Sequence, residues 1–467
     1  MLTYLSKYLS NRAIIAYIIT LTIVGLLFWG YGLPFQFVVF GLVSVVVFFI
    51  FSTRLSVVWQ RWTSDGFTKK IFITALLIRL VYVVFIYFYY ISMTGEPHAF
   101  YAADEYYYVY VGTVWHDSGF SQLASEMPLY ADFSDMGYGW WLAFENLIFG
   151  TGVLIPRLIK CFIDAFTCVL VYKLAKRNFE DTTARMAAIF CMLMPNFWYY
   201  CGVTLKETEM VFLTVLFVER ADYMLRQPKF KIKHWILPVL IAFVMFTFRT
   251  ALAAVLVLAL LCSFIFASGR RLSIWKRIAY TLFFVIIMML VVRVDIVQEV
   301  QGLWADKGDN QTEGLEWRAE REGGNNLAQY AGAAVFAPLI FTIPFPTMVN
   351  IPMQENQMML NGANYIKSLL SGFTIFALFL LLFRKEWRKH ILPLAVMGGY
   401  LLVLVFSNFA HSERFHLPAL PFELMFAAYG ISQLKVKHKK WFNVWMVFVS
   451  VAIVGWSWFK LAGRGLV

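Results

Sequence analysis

Two adjacent carboxylates, Asp104 and Glu105, stand among tyrosines in AFYAADEYYYVYVGTVWHDSGF (99–120). No lysine or arginine occurs anywhere from Leu80 to Pro156. A carboxylate within hydrogen-bond reach of a hydroxyl can act as a general base; adjacent acids in a loop are otherwise hydrated surface groups. A second segment, VTLKETEMVFL (203–213), opens an apolar helix. Thr204 and Glu207 have the spacing of a capping box, which gives Glu207 a structural role. Lys206 and Glu209, three apart, share one helix face. Free N–H groups, the positive end of the helix dipole and Lys206 together suit an anion; the competing reading is a Lys206–Glu209 ion pair that only caps the helix. A third segment, NFAHSERFHLPALPF (408–422), repeats the theme with His411, Glu413, Arg414 and His416 at another helix start. Arg414 and His416 can reach a phosphate there, arginine with two parallel donors, or can snorkel to ordinary headgroups. Arg249, between two short apolar runs, Arg293, at the end of another, and Arg157, just after Pro156, complete the unusual charges.

The elements that must hold these groups are membrane helices. Of the 467 residues, 60% are apolar and 15% charged, which excludes an ordinary soluble domain. Apolar runs of helix-spanning length fall near 13–30, 35–51, 71–92, 153–172, 186–201, 208–224, 235–249, 252–267, 278–294, 365–383, 391–407, 415–433 and 441–459. The first run has no small-residue cleavage site after it and reads as a retained span. Residues 331–349 are apolar but interrupted by Pro338, Pro344 and Pro346, so they read as a re-entrant or surface segment. The net charge of +12 does not indicate nucleic acid, because the basic residues fill every second loop. That alternation places the N-terminus inside and the three chemical segments on the outer face. Lys460 and Arg464 offend the pattern and make the last span the least secure. Lys160 and Asp164, one turn apart within a span, can neutralise each other, with Arg79 joining them. The five cysteines lie in or at apolar runs and read as packing residues. GYGWWLAFENLIFG (137–150) suits a helix lying flat at the membrane surface. Two long segments, 93–152 and 295–364, lie outside; the second has a polar part (314–326), a glycosylation pattern at Asn310 and the character of a lid or acceptor-binding element.

ADEYYY (103–108), LKETEM (205–210) and HSERFHLPALP (411–421) occur in the order found in the GT-C superfamily of membrane glycosyltransferases. They resemble the motifs of bacterial relatives of the protein O-mannosyltransferases (glycosyltransferase family 39 in the broad sense), and the resemblance covers roughly 71–433. The chain departs from that pattern in three ways. Three spans precede the acidic loop instead of one, His416 stands where arginine is common, and no large soluble domain follows the spans. The resemblance implies an all-α polytopic membrane protein, a GT-C-like bundle of about 11–13 transmembrane helices with short amphipathic helices in its outer loops. It divides the chain into two extra spans and a basic loop (1–70), a core (71–294), the outer loop (295–364) and C-terminal spans (365–467).

The same resemblance implies transfer of a sugar from a polyprenyl-phosphate-linked donor to a glycan, lipid or protein acceptor on the outer, periplasmic side of an inner membrane, with inversion. Asp104 would be the base. Glu105 would orient the acceptor or help hold a divalent metal (Mg, Mn or Zn), which some members use and others do not. Lys206, Arg249 and Arg414, with His411 and His416, would hold the donor phosphate; Glu209, Arg157, Arg293, Glu413 and Tyr107 would support the site. The tyrosines would stack on sugars or sit at the interface. Rival readings are an outer-face polysaccharide polymerase or ligase, a secondary transporter, and a silent assembly subunit. Against a transporter stands the lack of related halves and of a midplane charge cluster.

Overall fold

The computed structural model describes residues 4–118, 133–227, 231–267, 273–291, 334–407, 410–435 and 438–467. Arg293, Asn310 and the polar stretch 314–326 lie outside the described residues.

The described residues are helical almost throughout, in the order α1 Lys7–Leu27, α2 Phe35–Val58, α3 Ser64–Thr94, α4 Ala103–Asp117, α5 Phe133–Phe149, α6 Leu154–Asn178, α7 Asp181–Leu193, α8 Pro195–Cys201, α9 Glu207–Arg226, α10 Lys233–Phe248, α11 Thr250–Phe266, α12 Ile274–Val291, α13 Glu355–Met359, α14 Asn361–Phe383, α15 Ile391–Val405, α16 Glu413–His416, α17 Leu420–Ser432 and α18 Lys439–Ala462. The fold is that of an all-α polytopic membrane protein. Helices α1, α2, α3, α14 and α18 are each long and apolar enough to cross a bilayer, and α10, α11, α15 and α17 are shorter apolar helices. Two expected spans are broken by proline: Pro195 separates α7 from α8, and Pro418 and Pro421 lie at the α16–α17 junction. Helix α3 stops at Gly95, whose φ of 83° provides the left-handed cap while its N–H bonds back to Ile91.

The two N-terminal helices are integral to the bundle. Gly41 of α2 and Gly362 of α14 bring the two backbones into contact, so that a Cβ at Gly41 would overlap the Asn361 and Tyr17 side chains. Small residues at such crossings permit close helix approach in membranes. Tyr17 donates to Asn361 Oδ1 (2.5 Å), and Tyr365 donates to the Ala13 carbonyl (2.8 Å).

The proline-rich segment is packed inside the protein, which rules out the surface alternative. Ile343, Phe345, Met348 and Ile351 are buried. Its non-helical backbone is satisfied by side chains, as buried irregular backbone must be. Lys367 donates to the carbonyls of Phe341 and Ile343, and Ser368 to that of Thr342 (2.8 Å). Lys460, near the end of α18, donates to Thr347 (2.6 Å), Gln354 (3.0 Å) and Gln357 (2.6 Å). That engagement explains why a lysine breaks the charge alternation in the last helix.

Helix α5 covers the expected amphipathic stretch. Phe144, Leu147, Ile148 and Phe149 point away from the bundle, while Tyr138, Leu142, Glu145 and Asn146 are buried against it.

Candidate functional site

The three segments converge at one end of the bundle. Helix α4 lays the acid pair beside the turn 201–206 between α8 and α9, and the loop carrying α16 closes over both. The opposite end holds a different network, in which Arg177 binds Glu219 and Asp222, and Arg185 caps the carbonyls of Trp59 and Trp62.

The adjacent acids have different environments. Glu105 is buried. Its Oε1 accepts from Arg157 Nη2 and from the Thr204 amide, each at 2.6 Å, and its Oε2 accepts from the Ala99 amide at 3.1 Å. Burial would raise this carboxyl. Arg157, with His98 and the two amides, overrides burial and holds it well below the usual carboxylate range. Glu105 therefore clamps α4 to α6 and to the 201–206 turn. Arg157 serves that clamp, fully buried and also donating to Thr204 Oγ1 at 3.3 Å. Asp104, by contrast, is solvent-facing, its side chain 55% exposed, and its carboxylate pairs with Arg414.

Arg414 is shared between two carboxylates. Its Nη1 binds Asp104, and its Nε lies 3.0 Å from Glu207 Oε1, a side chain only 1% exposed. Burial would lower the guanidinium's affinity for its proton; Glu207 and Asp104 reverse this and fix it as a permanent cation. Arg249, in extended backbone between α10 and α11, sits over the Phe415 ring at 4.3 Å, with Arg414 at 5.1 Å from the same ring. Two guanidiniums thus meet one aromatic ring at the mouth of the site.

Several expectations are corrected here. Glu207 does not form a capping box: α9 has no side-chain cap, Thr204 Oγ1 accepts from Arg157, and Glu207 faces Arg414. Lys206 does not pair with Glu209 and does not stand open for an anion. It is buried and bound to the Asp135 carboxylate, the Phe248 carbonyl (2.8 Å) and the Ser134 carbonyl (3.3 Å). Burial, with Arg249 close by, lowers its pKa, while Asp135 opposes that shift. Glu209 pairs instead with Lys160 (3.5 Å), and Lys160 donates to the carbonyls of Val203 and Leu205. Asp164 pairs with Arg79 and not with Lys160. His416 is enclosed, its Nε2 donating to the Ala410 carbonyl (2.7 Å) and its Nδ1 accepting from Lys367 (3.2 Å). Both ring nitrogens are thus engaged inside the protein, so His416 presents no N–H to a phosphate. His411 neighbours it, on the rim. Glu413 takes a hydrogen bond from Tyr200 (3.4 Å), and burial raises its carboxyl. Tyr107 is 40% exposed beside Tyr108.

Sequence reasoning missed Asp135, which accepts from both Lys206 and Tyr108 (3.0 Å). The signal available was an acid in the first turn of an amphipathic helix, with no basic residue near it in sequence to mark a partner.

A divalent metal does not fit between the paired acids. Both Glu105 oxygens are already engaged by donors, and Asp104 faces a guanidinium, so the donor set presents cations where ligands are needed. Among the described residues no group of three or more His, Cys, Asp or Glu side chains is placed to hold a metal ion.

Residues 136–294 match the family described as dolichyl-phosphate-mannose-protein mannosyltransferase. The match covers less than half of the chain, and the family it names is of the class that the sequence motifs resemble. It takes in Arg157, Lys206, Glu207 and Arg249, and leaves Asp104 and Arg414 outside. No curated protein matches. Among solved structures, one described as ArnT from Cupriavidus metallidurans bound to undecaprenyl phosphate is similar at 13% identity, over 84% of this chain and 74% of that one, with a TM-score of 0.45.

Proposed function

We propose that this protein is an integral membrane glycosyltransferase that moves a sugar from a polyprenyl-phosphate-linked donor to an acceptor hydroxyl on the outer face of the membrane, with inversion. One observation carries the reading: a solvent-facing carboxylate, Asp104, touches an arginine, Arg414, that shares an aromatic ring with a second arginine, Arg249. A base and a phosphate clamp thus lie side by side. The family match over 136–294 supports the same reaction class.

In the reaction, Asp104 takes the proton of the acceptor hydroxyl. The acceptor oxygen attacks the anomeric carbon from the face opposite the phosphate, and the carbon–oxygen bond to the phosphate breaks. Its electron pair leaves on the phosphate oxygen, where Arg414 and Arg249 stabilise the added charge. Because the leaving group is already a stable anion, it needs no general acid. Lys206 lies behind this pair and acts through Asp135 and the Phe248 carbonyl to hold α5, α9 and α10 together.

The test is transfer from a polyprenyl-phosphate sugar by purified protein in proteoliposomes. Asp104→Asn is expected to abolish transfer while the thermal unfolding temperature stays unchanged. Near-normal transfer by that variant removes the base. Mass spectrometry of glycolipids in cells lacking the protein is expected to show an accumulated lipid-linked sugar and so to name the donor.

A further inference from the structure

In the structure the base and the phosphate clamp occupy each other. Asp104 spends part of its acceptor capacity on Arg414. Arg414 donates an N–H to Asp104 and stands in ion-pair contact with Glu207. The reaction needs both groups free at the same moment, and the two contacts differ in what it takes to break them. Asp104 is half in water, so solvent readily replaces its partner. Glu207 is buried, so leaving it without a counter-charge costs far more.

Resting on the proposed function, we infer that Arg414 is a donor-operated switch: the donor phosphate draws it off Asp104 while Glu207 keeps it anchored, so the base is released only when the leaving group is in place. A guanidinium spreads its charge over a fixed fork of five N–H donors, so it can stay beside Glu207 as a counter-charge and present its other edge to a phosphate. Arg249, on the same Phe415 ring, completes the phosphate's surroundings. Asp104 then carries free lone pairs and faces the acceptor. Without a donor, a bound acceptor meets an occupied carboxylate and keeps its proton. The arrangement makes the donor the first substrate to act, and ties deprotonation of the acceptor to the presence of somewhere for the displaced electron pair to go.

The test reads the Asp104 carboxylate directly. Full-length protein in nanodiscs is treated with a water-soluble carbodiimide and an amine, and modification of Asp104 is quantified by peptide mass spectrometry, with and without undecaprenyl phosphate. Binding of undecaprenyl phosphate is measured in parallel by tryptophan fluorescence. In the native protein, modification of Asp104 is expected to rise several-fold on adding undecaprenyl phosphate. In Arg414→Gln it is expected to be high in both conditions. Binding without a rise in the native protein overturns the switch and leaves the glycosyltransferase reading standing. Low modification of Arg414→Gln without the lipid also overturns it, since the arginine is then not what covers the acid. No measurable binding at all removes the donor site on which both rest.

Discussion

Replacing Glu105 by glutamine separates structure from chemistry at the acid pair. The change is nearly isosteric, so packing is preserved, but it removes the charge that faces Arg157. That guanidinium is fully buried and 2.6 Å from the carboxylate. Breaking a buried ion pair by neutralising one partner costs about 3–5 kcal/mol. At about 1.4 kcal/mol per tenfold, the ratio of folded to unfolded protein falls by roughly 10² to 10³ or more. The amide also brings an NH2 toward the Ala99 and Thr204 N–H groups or toward Arg157, so one donor must lose its acceptor. The double variant Glu105→Gln, Arg157→Met removes the stranded cation and is expected to recover most of the loss. Urea or thermal unfolding in detergent, followed by tryptophan fluorescence, checks both. The clamp also has an acid limit. With the Glu105 pKa depressed in the folded state, its stabilisation is complete above about pH 4.3, the unfolded carboxylate value, and is lost as pH falls through the folded one. If Glu105→Gln unfolds like the native protein yet transfers no sugar, the carboxylate touches substrate and the structural assignment fails.

Glu145, buried on α5 near Glu209, is pushed up to about 8 by burial and by Glu209 against the pull of Lys160. A raised carboxyl makes the folded state hold its proton longer, so stability is expected to decline as pH rises from about 4 to 8; Glu145→Gln should flatten that slope in unfolding curves taken at several pH values. Gly41→Ala places a methyl group where Asn361 and Tyr17 already sit and is expected to cost about 1–3 kcal/mol, read by thermal unfolding. Lys460→Met removes three hydrogen bonds to the 347–357 segment and is expected to expose it to limited proteolysis and to lower transfer.

The helices were legible because a bilayer leaves few options: long apolar runs must be helical to satisfy their backbones. All thirteen expected spans fall on helices among the described residues, two of them divided by proline. The convergence of 103–108, 205–210 and 411–421 at one end was legible from charge alternation. Partnerships were not. Lys206, Glu209, Lys160 and Asp164 each had a plausible partner three or four residues away, and each chose one from another helix. Local spacing measures reach along a helix, whereas a buried charge takes the partner that packing brings to it. Asp135 was overlooked and Glu207 misassigned to a cap for the same reason, since only the folded turn reveals what they face.

The grip of Lys460 on Thr347, Gln354 and Gln357 continues through Asn356, which donates to the Phe100 carbonyl at 2.6 Å, three residues before helix α4 begins. Helix α18 therefore pins the stretch on which the acidic helix leans. A nascent chain stalled before α18 would carry all the reactive groups yet lack their brace, so competence waits until α18 has been made.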